Sequence, residues 1–211
     1  MLSTVTIPVR PSRRGEPLWE LLELFPEQGE WSEEAYLRLN TNRLVEFNDG
    51  CIEVLPMPDA LHQLLAWLLT TALNTLKIDG DVGVAIPAPF KLKGPNRKWR
   101  EPDVSYLLPK NRHRYRRDWW DYADLTIEIV STDDPSRDYV TKRQEYAAMG
   151  VPEYWIIDPV KQTIHVLVLT ESAYREVQVA GAGEVAISRT VAGFQVDVAA
   201  ILAQAQAHEP R

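Results

Sequence analysis

Apolar positions recur along this chain with two different periods, and these periods predict its helices and strands. Between residues 59 and 76 the apolar side chains follow helical spacing, which predicts a long helix capped by Asp59. Earlier in the chain, Ser32 is expected to cap a short helix. A second helix is predicted from residue 137 to 149, with Gly150 just past its end. Residues 125–130 are nearly continuous in apolar character and predict a strand buried on both faces. The pattern indicates an α+β protein with an α/β-type core, in which helices flank a mixed central β-sheet.

Shorter signals divide the rest of the chain. Asn48-Asp49-Gly50 lies between two apolar runs and predicts a β-hairpin over residues 43–55. Strands are predicted at 103–108, 153–158 and 163–169, and additional antiparallel hairpins towards the C-terminus. Residues 93–100 are expected to form a basic loop, and residues 111–122 a basic and aromatic connection. Residues 1–30 contain four prolines and predict a partly extended N-terminal arm. We expect one domain over residues 31–200 and a polar tail over 201–211.

Composition narrows the class of protein. The chain has 211 residues, of which 45% are hydrophobic and 25% charged, as in an ordinary soluble globular domain. It shows neither a membrane-length apolar run nor the apolar core of a signal peptide, so we expect a cytoplasmic protein without a membrane partner. Cys51 is the only cysteine, which excludes an intrachain disulfide and a cysteine metal cluster. Any metal must therefore bind oxygen or histidine, and no organic cofactor is expected.

Charge is spread unevenly along the chain. The net charge is -7, yet residues 91–117 carry ten basic residues against two acidic ones. Such a window is typical of a surface that binds a polyanion, and it is equally typical of a solvated basic loop. On the first interpretation the candidate nucleic-acid-binding residues are Lys91, Lys93, Arg97, Lys98, Arg100, Arg112, Arg114, Arg116 and Arg117. Trp119 and Trp120, beside them, would stack on bases or anchor the loop.

Two carboxylates stand where a β-rich segment should be apolar. Glu128 lies in the middle of the strand at 125–130, and Asp103 begins another strand directly after a proline. A buried carboxylate needs a compensating cation, proton or metal. If the two strands are neighbours, both side chains can converge on one hard divalent cation. Lys142, on the following helix, could then direct an ammonium at a metal-bound water or a scissile phosphate.

Each of these residues also has an ordinary structural interpretation. Lys142 could be a surface partner of Asp138 four residues earlier, and Glu128 could be an acid paired with an arginine. Asp103 could be an ordinary residue at the start of a strand. His62 could bond a phosphate, although an ordinary helix position is the favoured interpretation, and Tyr146 is expected to pack rather than react.

Three segments resemble a known bacterial family. Glu101-Pro-Asp-Val, Ile127-Glu-Ile-Val-Ser131 and the run from Arg137 to Pro159 are similar to a family abundant in cyanobacteria that belongs to the PD-(D/E)XK nuclease superfamily. The hairpin with Glu46-Phe-Asn-Asp-Gly50 and the helix near His62 also fit. The resemblance implies a restriction-endonuclease-like fold that hydrolyses DNA phosphodiester bonds with Mg²⁺ or Mn²⁺, and it suggests a homodimer.

The resemblance also implies roles for individual residues. Asp103 and Glu128 match the motif's metal-binding acids, which would act with the backbone carbonyl of Ile129. Val130 stands where the superfamily has lysine, and Lys142 matches the position to which this family has moved it. Lys142 would orient or activate the attacking water and stabilise the transition state. Glu46 matches a recurrent hairpin acid that could reach the metal or a water, or serve as a cross-strand residue.

Two other functions compete with catalysis. The substitution at Val130 is compatible with a nuclease-fold protein that is catalytically weak or inactive and binds nucleic acid. The hairpins after Thr163 are compatible with a module that binds a protein partner.

Overall fold

Four α-helices and fifteen strands make up most of the regular structure in the residues described, which are 25–39, 41 and 43–208 of a computed structural model. The helical segments, in chain order, are α1 Glu33–Arg38, α2 Ala60–Thr75, a 3₁₀ helix Pro109–Arg114, a π-helical segment Arg137–Lys142, α3 Arg143–Ala148 and α4 Val198–Ala207. The strands are β1 Val45–Asn48, β2 Cys51–Val54, β3 Lys77–Ile78, β4 Asp81–Val82, β5 Val84–Pro87, β6 Lys91–Gly94, β7 Lys98–Arg100, β8 Val104–Leu107, β9 Trp119–Trp120, β10 Leu125–Ile129, β11 Glu153–Asp158, β12 Thr163–Thr170, β13 Ala173–Ala180, β14 Val185–Ile187 and β15 Gln195–Asp197.

A six-stranded mixed sheet forms the centre of the fold, with strand order β13-β12-β11-β10-β8-β5. Only the β10–β11 pair in this sheet is parallel, and the segment between them contains the π-helical segment and α3. All five residues of β10 are buried. Leu125, Ile127 and Ile129 pack in a core with α2 and α4, whereas Val130 packs in a second core on the opposite side. The predicted mixed sheet and its doubly buried strand are therefore confirmed.

A second sheet, of order β2-β1-β7-β6-β9, carries the predicted hairpin and is called the hairpin sheet below. Asn48 pairs with Cys51, and the two turn residues Asp49 and Gly50 have φ of 43° and 88°. Positive φ at both central residues is the two-residue turn that Asp-Gly favours. A third core, under this sheet, includes Phe47 and Trp99.

The helix ends follow the predicted capping residues. The Ser32 hydroxyl accepts a hydrogen bond from the amide of Ala35 at 3.0 Å, and the Asp59 carboxylate accepts one from His62 at 2.8 Å. Gly150 has φ of 73°, as expected just past a helix C-terminus. The helix before it is not regular, because residues 137–142 are π-helical.

Three expectations differ from the structure. Residues 93–100, expected to be a basic loop, belong to the β6–β7 hairpin, where Trp99 supplies a buried apolar anchor. The connection at 111–122 contains β9, because Trp120 is fully buried. Residues 201–207, expected within a polar tail, are helical because Leu202 packs into the first core. Residues 1–24 of the predicted N-terminal arm lie outside the described residues. Within the described part, no helix combines the length and apolar character needed to cross a membrane.

Candidate active site

A cavity of about 280 Å³ lies between the start of α2, the ends of β8 and β10, and the π-helical segment. Asp103, Glu128, Ile129 and Lys142 all line it. β8 pairs antiparallel with β10, with Val104 opposite Ile127. This register places Asp103, just before β8, beside the end of β10 that carries Glu128. The four residues come from three separate segments of sequence, and the fold brings them to one cavity.

Asp103 is held by two donors. Its Oδ2 accepts a hydrogen bond of 2.7 Å from the backbone amide of Ile129 and lies 3.0 Å from Nε2 of His62. Burial alone would raise the pKa of Asp103, but the bond and charge of His62 outweigh it and lower the pKa below its ordinary value. The Asp103 side chain therefore remains a carboxylate with fixed orientation at the cavity wall.

Glu128 is 1% exposed and has a cation on one oxygen and a hydroxyl on the other. Lys142 Nζ lies 2.8 Å from Oε2, and the Tyr146 hydroxyl donates to Oε1. Burial raises the pKa of Glu128 well above its usual range; Lys142 lowers it, while the charges of Asp103 and Asp138 raise it further. Burial and the two neighbouring carboxylates thus outweigh Lys142 in setting the pKa of Glu128.

Lys142 is buried between two carboxylates. Its ammonium lies 2.8 Å from Glu128 and 3.2 Å from Asp138, and its side chain is 8% exposed. Burial disfavours the charged form, but the neighbouring carboxylates, Glu128 first and Glu46 next, raise the pKa of Lys142 above its ordinary value. The pair with Asp138 that the sequence offered as an ordinary interpretation exists, but it lies inside the protein rather than on the surface.

Asp138 and Lys142 lie in the π-helical segment, and Tyr146 lies in α3 directly after it. Single π-helical turns recur at functional sites. Lys142 forms ion pairs with Asp138 and Glu128, and the Tyr146 hydroxyl bonds Glu128, so successive turns contribute side chains to one cluster.

Glu46 lies behind the cavity rather than on its wall. It is fully buried in β1, where Oε1 accepts the amide of Glu101 at 3.1 Å. Its Oε2 lies 2.5 Å from Nη2 of Arg137 and 3.3 Å from Nη1 of Arg100. Arg137 does line the cavity, so Glu46 reaches it through this guanidinium. A direct role for Glu46 in catalysis stays a prediction.

None of the nine predicted nucleic-acid-binding residues lines the cavity. Most of them are paired with carboxylates: Lys91 with Glu101, Lys93 with Glu33, Arg97 with Asp49, Lys98 and Arg100 with Glu145, Arg112 with Asp81, and Arg114 with Asp121. Arg116 donates to backbone carbonyls. These pairs offset much of the window's positive charge.

Burial separates the members of this basic set. Arg100 is 1% exposed and lies within a network of buried carboxylates, so it has no surface to offer a ligand. Arg97, Arg112, Arg116 and Arg117 are exposed and remain candidates for contact with a polyanion. Trp120 is buried, whereas Trp119 is half-buried against Trp99.

The fold adds functional candidates that sequence reasoning missed or ranked low. His62 bonds Asp103 instead of serving only as a helix residue, and Tyr146 bonds Glu128. Arg137, the first residue of the run that resembles the family, lines the cavity, although no role was assigned to it from sequence. Helical spacing places Tyr146 on the same face as Asp138 and Lys142. No sequence signal indicates the position of the Arg137 side chain, because that position depends on how the β1–β2 hairpin packs against the π-helical segment.

Fold and site together define a restriction-endonuclease-like α+β protein. The chain belongs to the Uma2 family, described as "Putative restriction endonuclease", whose model matches residues 31–199. The solved structure of "a putative nuclease belonging to DUF820 from Anabaena variabilis ATCC 29413" is similar, with a TM-score of 0.68 and 18% sequence identity. That likeness covers 82% of this chain and 97% of the other, and it establishes the shared fold. No curated protein matches the chain significantly.

Proposed function

We propose that this protein is a divalent-metal-dependent endonuclease that hydrolyses DNA phosphodiester bonds. The observation that carries the proposal is the cavity at which Asp103, Glu128 and Lys142 meet. Two acids and a lysine around one cavity can supply metal binding and charge stabilisation for hydrolysis of a phosphodiester. The descriptions of the family and of the solved neighbour support the same reaction class.

The residues present fit a hard divalent cation. The cavity is lined by more acidic than basic side chains, and the carboxylates of Asp103 and Glu128 both border it. In the described part of the chain, no three histidine, cysteine, aspartate or glutamate side chains form a metal cluster. Mg²⁺ and Mn²⁺ suit such a site because Mg²⁺ commonly takes only one or two carboxylates and keeps several waters. Asp103, Glu128 and the backbone carbonyl of Ile129 are the proposed ligands, and a bound ion would polarise a phosphoryl oxygen and acidify a water.

The chain's own residues prepare this site. The amide of Ile129 and the imidazole of His62 fix the Asp103 carboxylate. Lys142 and Tyr146 fix Glu128. Because neighbouring carboxylates keep Lys142 protonated, we assign it to stabilising negative charge on the phosphate and orienting the water rather than to removing a proton.

A cleavage assay tests the proposal. Supercoiled and linear DNA are incubated with the purified chain and Mg²⁺ or Mn²⁺, with EDTA as the metal-free arm. We expect Asp103→Asn and Glu128→Gln to abolish cleavage, and Glu171→Gln, an exposed carboxylate in the β12–β13 turn, to leave it unchanged. Cleavage by the Asp103 and Glu128 variants at the wild-type rate, or equal cleavage in EDTA, would sink the proposal. RNA in a parallel arm decides between the two nucleic acids.

A second candidate is a protein of this fold that binds nucleic acid without efficient chemistry. It is favoured by Lys142, whose ammonium is already bonded to two carboxylates and is 8% exposed. Salt-sensitive DNA binding with no cleavage under either metal would support this candidate. The homodimer implied by the resemblance also stays a prediction, which sedimentation of the purified chain can test.

A further inference from the structure

Arg137 occupies a place on the cavity wall that the proposed mechanism does not use. It begins the π-helical segment that carries Lys142, and its side chain is 25% exposed, against 8% for Lys142. Its Nη2 donates to Glu46 and to Glu53, each at 2.5 Å. The far side of the guanidinium is therefore anchored in the hairpin sheet, while the residue borders the cavity.

The guanidinium retains donors that the protein does not use. Nε is buried without a hydrogen-bond acceptor, and no described residue accepts a bond from Nη1, while the side chain as a whole is 25% exposed. The ammonium of Lys142 differs in this respect, because it already forms ion pairs with two carboxylates. Arg137 is thus a permanent cation at the cavity with an unpaired, solvent-reachable donor.

The anchoring of Arg137 is itself rigid. Glu46 is bonded by the amide of Glu101 and lies 3.3 Å from Arg100, which is also 3.6 Å from Glu53. Arg100 is held in turn by two bonds of 2.5 and 2.7 Å to Glu145. A guanidinium fixed in this way loses little side-chain freedom when it binds an anion.

The charge around the cavity needs such a cation. The acidic residues that line it are Asp59, Asp103, Glu128, Asp133, Asp134 and Asp138. The basic ones are His62, Arg137 and Lys142. A polyanion that enters meets a surplus of acidic side chains, and an exposed cationic donor would help to hold a phosphate there. Arg137 is the most exposed of the three basic side chains, at 25% against 15% for His62 and 8% for Lys142.

We propose that Arg137 binds the phosphate backbone of the nucleic-acid substrate through Nη1 at the wall of the cavity. This inference rests on the proposed function, because it assigns the ligand of the same site. The competing explanation is purely structural: Arg137 would only join the β1–β2 hairpin to the π-helical segment. The two explanations predict different effects on binding.

Salt-dependent binding separates them. A fluorescein-labelled DNA duplex is titrated with the full chain over a series of salt concentrations, with Ca²⁺ in place of Mg²⁺, and the affinity is read by anisotropy. We expect Arg137→Gln to weaken binding about tenfold or more, since a hydrogen bond to a charged group is lost. The slope of log K against log salt should fall by about one, as for a single lost phosphate contact. Arg175→Gln, an exposed arginine on the edge strand β13, is the matched control and should leave both values unchanged.

Two further variants keep the inference falsifiable if Arg137→Gln does not fold. Arg137→Lys keeps the charge beside Glu46 and Glu53 but has no second nitrogen for the cavity, so affinity should still fall about tenfold while the unfolding midpoint changes little. Glu53→Gln leaves Arg137 bonded to Glu46 and should keep or tighten binding. Affinities of both arginine variants equal to that of the control would overturn the inference, as would an equal weakening by Glu53→Gln.

Failure of the inference is distinguishable from failure of the proposed function. A wild-type chain that cleaves DNA while Arg137→Gln matches Arg175→Gln in affinity and salt slope overturns the role of Arg137 alone. A wild-type chain that binds no nucleic acid at low salt overturns both.

Discussion

Replacing Arg100 with methionine tests whether this residue supports the fold or binds nucleic acid. Arg100 is 1% exposed; its Nε and Nη2 bond Glu145 at 2.5 and 2.7 Å, and its Nη1 lies 3.3 Å from Glu46. Methionine fills a similar length of core without the charge. The substitution therefore removes a buried cation and leaves two buried carboxylates with fewer partners.

The expected loss of stability depends on the partners that Glu145 and Glu46 retain after the substitution. Removing one partner of a buried ion pair costs about 3–5 kcal/mol. Glu145 retains Lys98 at 2.6 Å, and Glu46 retains Arg137 at 2.5 Å, so neither charge is left alone. We therefore expect a loss at the lower end of this range, about 3 kcal/mol of unfolding free energy. For a chain of this size that corresponds to a melting temperature lower by about 6–12 °C.

Urea unfolding at pH 7, followed by tryptophan fluorescence, measures the effect. Arg112→Met is the control, because Arg112 is 49% exposed and lies 3.4 Å from an exposed Asp81. Such a surface pair should contribute less than about 1 kcal/mol. Removing both Arg100 and Glu145, as Arg100→Met with Glu145→Leu, should cost less than the sum of the single changes.

Two results would refute this reasoning. The first is an Arg100→Met protein within about 1 kcal/mol of the wild type, which would mean that the buried ion pairs contribute little. The second is unchanged stability together with a lower salt slope for DNA binding. That outcome would return Arg100 to the nucleic-acid surface on which the basic window first placed it.

Three further changes test other parts of the structure. Tyr146→Phe removes the donor on Glu128 and should lower the cleavage rate while reducing unfolding free energy by about 1.5–3 kcal/mol; equal rates would contradict a role in orienting that acid. Gly50→Ala should destabilise the chain by more than about 1 kcal/mol in urea unfolding, because φ is 88° and the added Cβ would clash with the backbone carbonyl of Gly29. Burial raises the pKa of Glu145, but bonds from its two basic neighbours outweigh it and hold the pKa below the ordinary 4.5. A depressed folded-state pKa stabilises above pH 4.5, so the stability difference between wild type and Glu145→Gln should shrink as pH falls below that value; a constant difference would contradict it.

Local pattern was enough to predict much of the fold. The Asp49-Gly50 turn, the caps at Ser32 and Asp59, and the alternation within β10 depend on neighbours in sequence, and each is confirmed. The β6–β7 hairpin was missed because two of its three buried residues, Trp99 and Arg100, stand among basic residues that predict a loop. Burial of Arg100 depends on Glu145, which is 45 residues away.

The candidate site, too, could be predicted from sequence only in part. Asp103 and Glu128 could be selected from sequence because a carboxylate at the edge or centre of an apolar strand is conspicuous. The contact between His62 and Asp103 could not, since it requires α2 to pack beside the start of β8. Arg137 was hidden for a similar reason: its carboxylate partners lie in a hairpin more than 80 residues earlier.

In this chain the proposed catalytic lysine, Lys142, lies on a helix, whereas the superfamily has it on the strand. The site therefore depends on a segment that lies outside the PD-(D/E)XK motif. Val130, in the strand position, packs in an apolar core and is 8% exposed. A lysine there would be placed by β10 itself, whereas Lys142 is placed by a helical segment that must be held at a fixed distance from Glu128. Arg137 at the start of that segment and Glu145 in α3 both pair with charged residues of the hairpin sheet. In the proposed mechanism the hairpin sheet therefore has a positioning role, because it holds the segment that places the Lys142 ammonium beside Glu128.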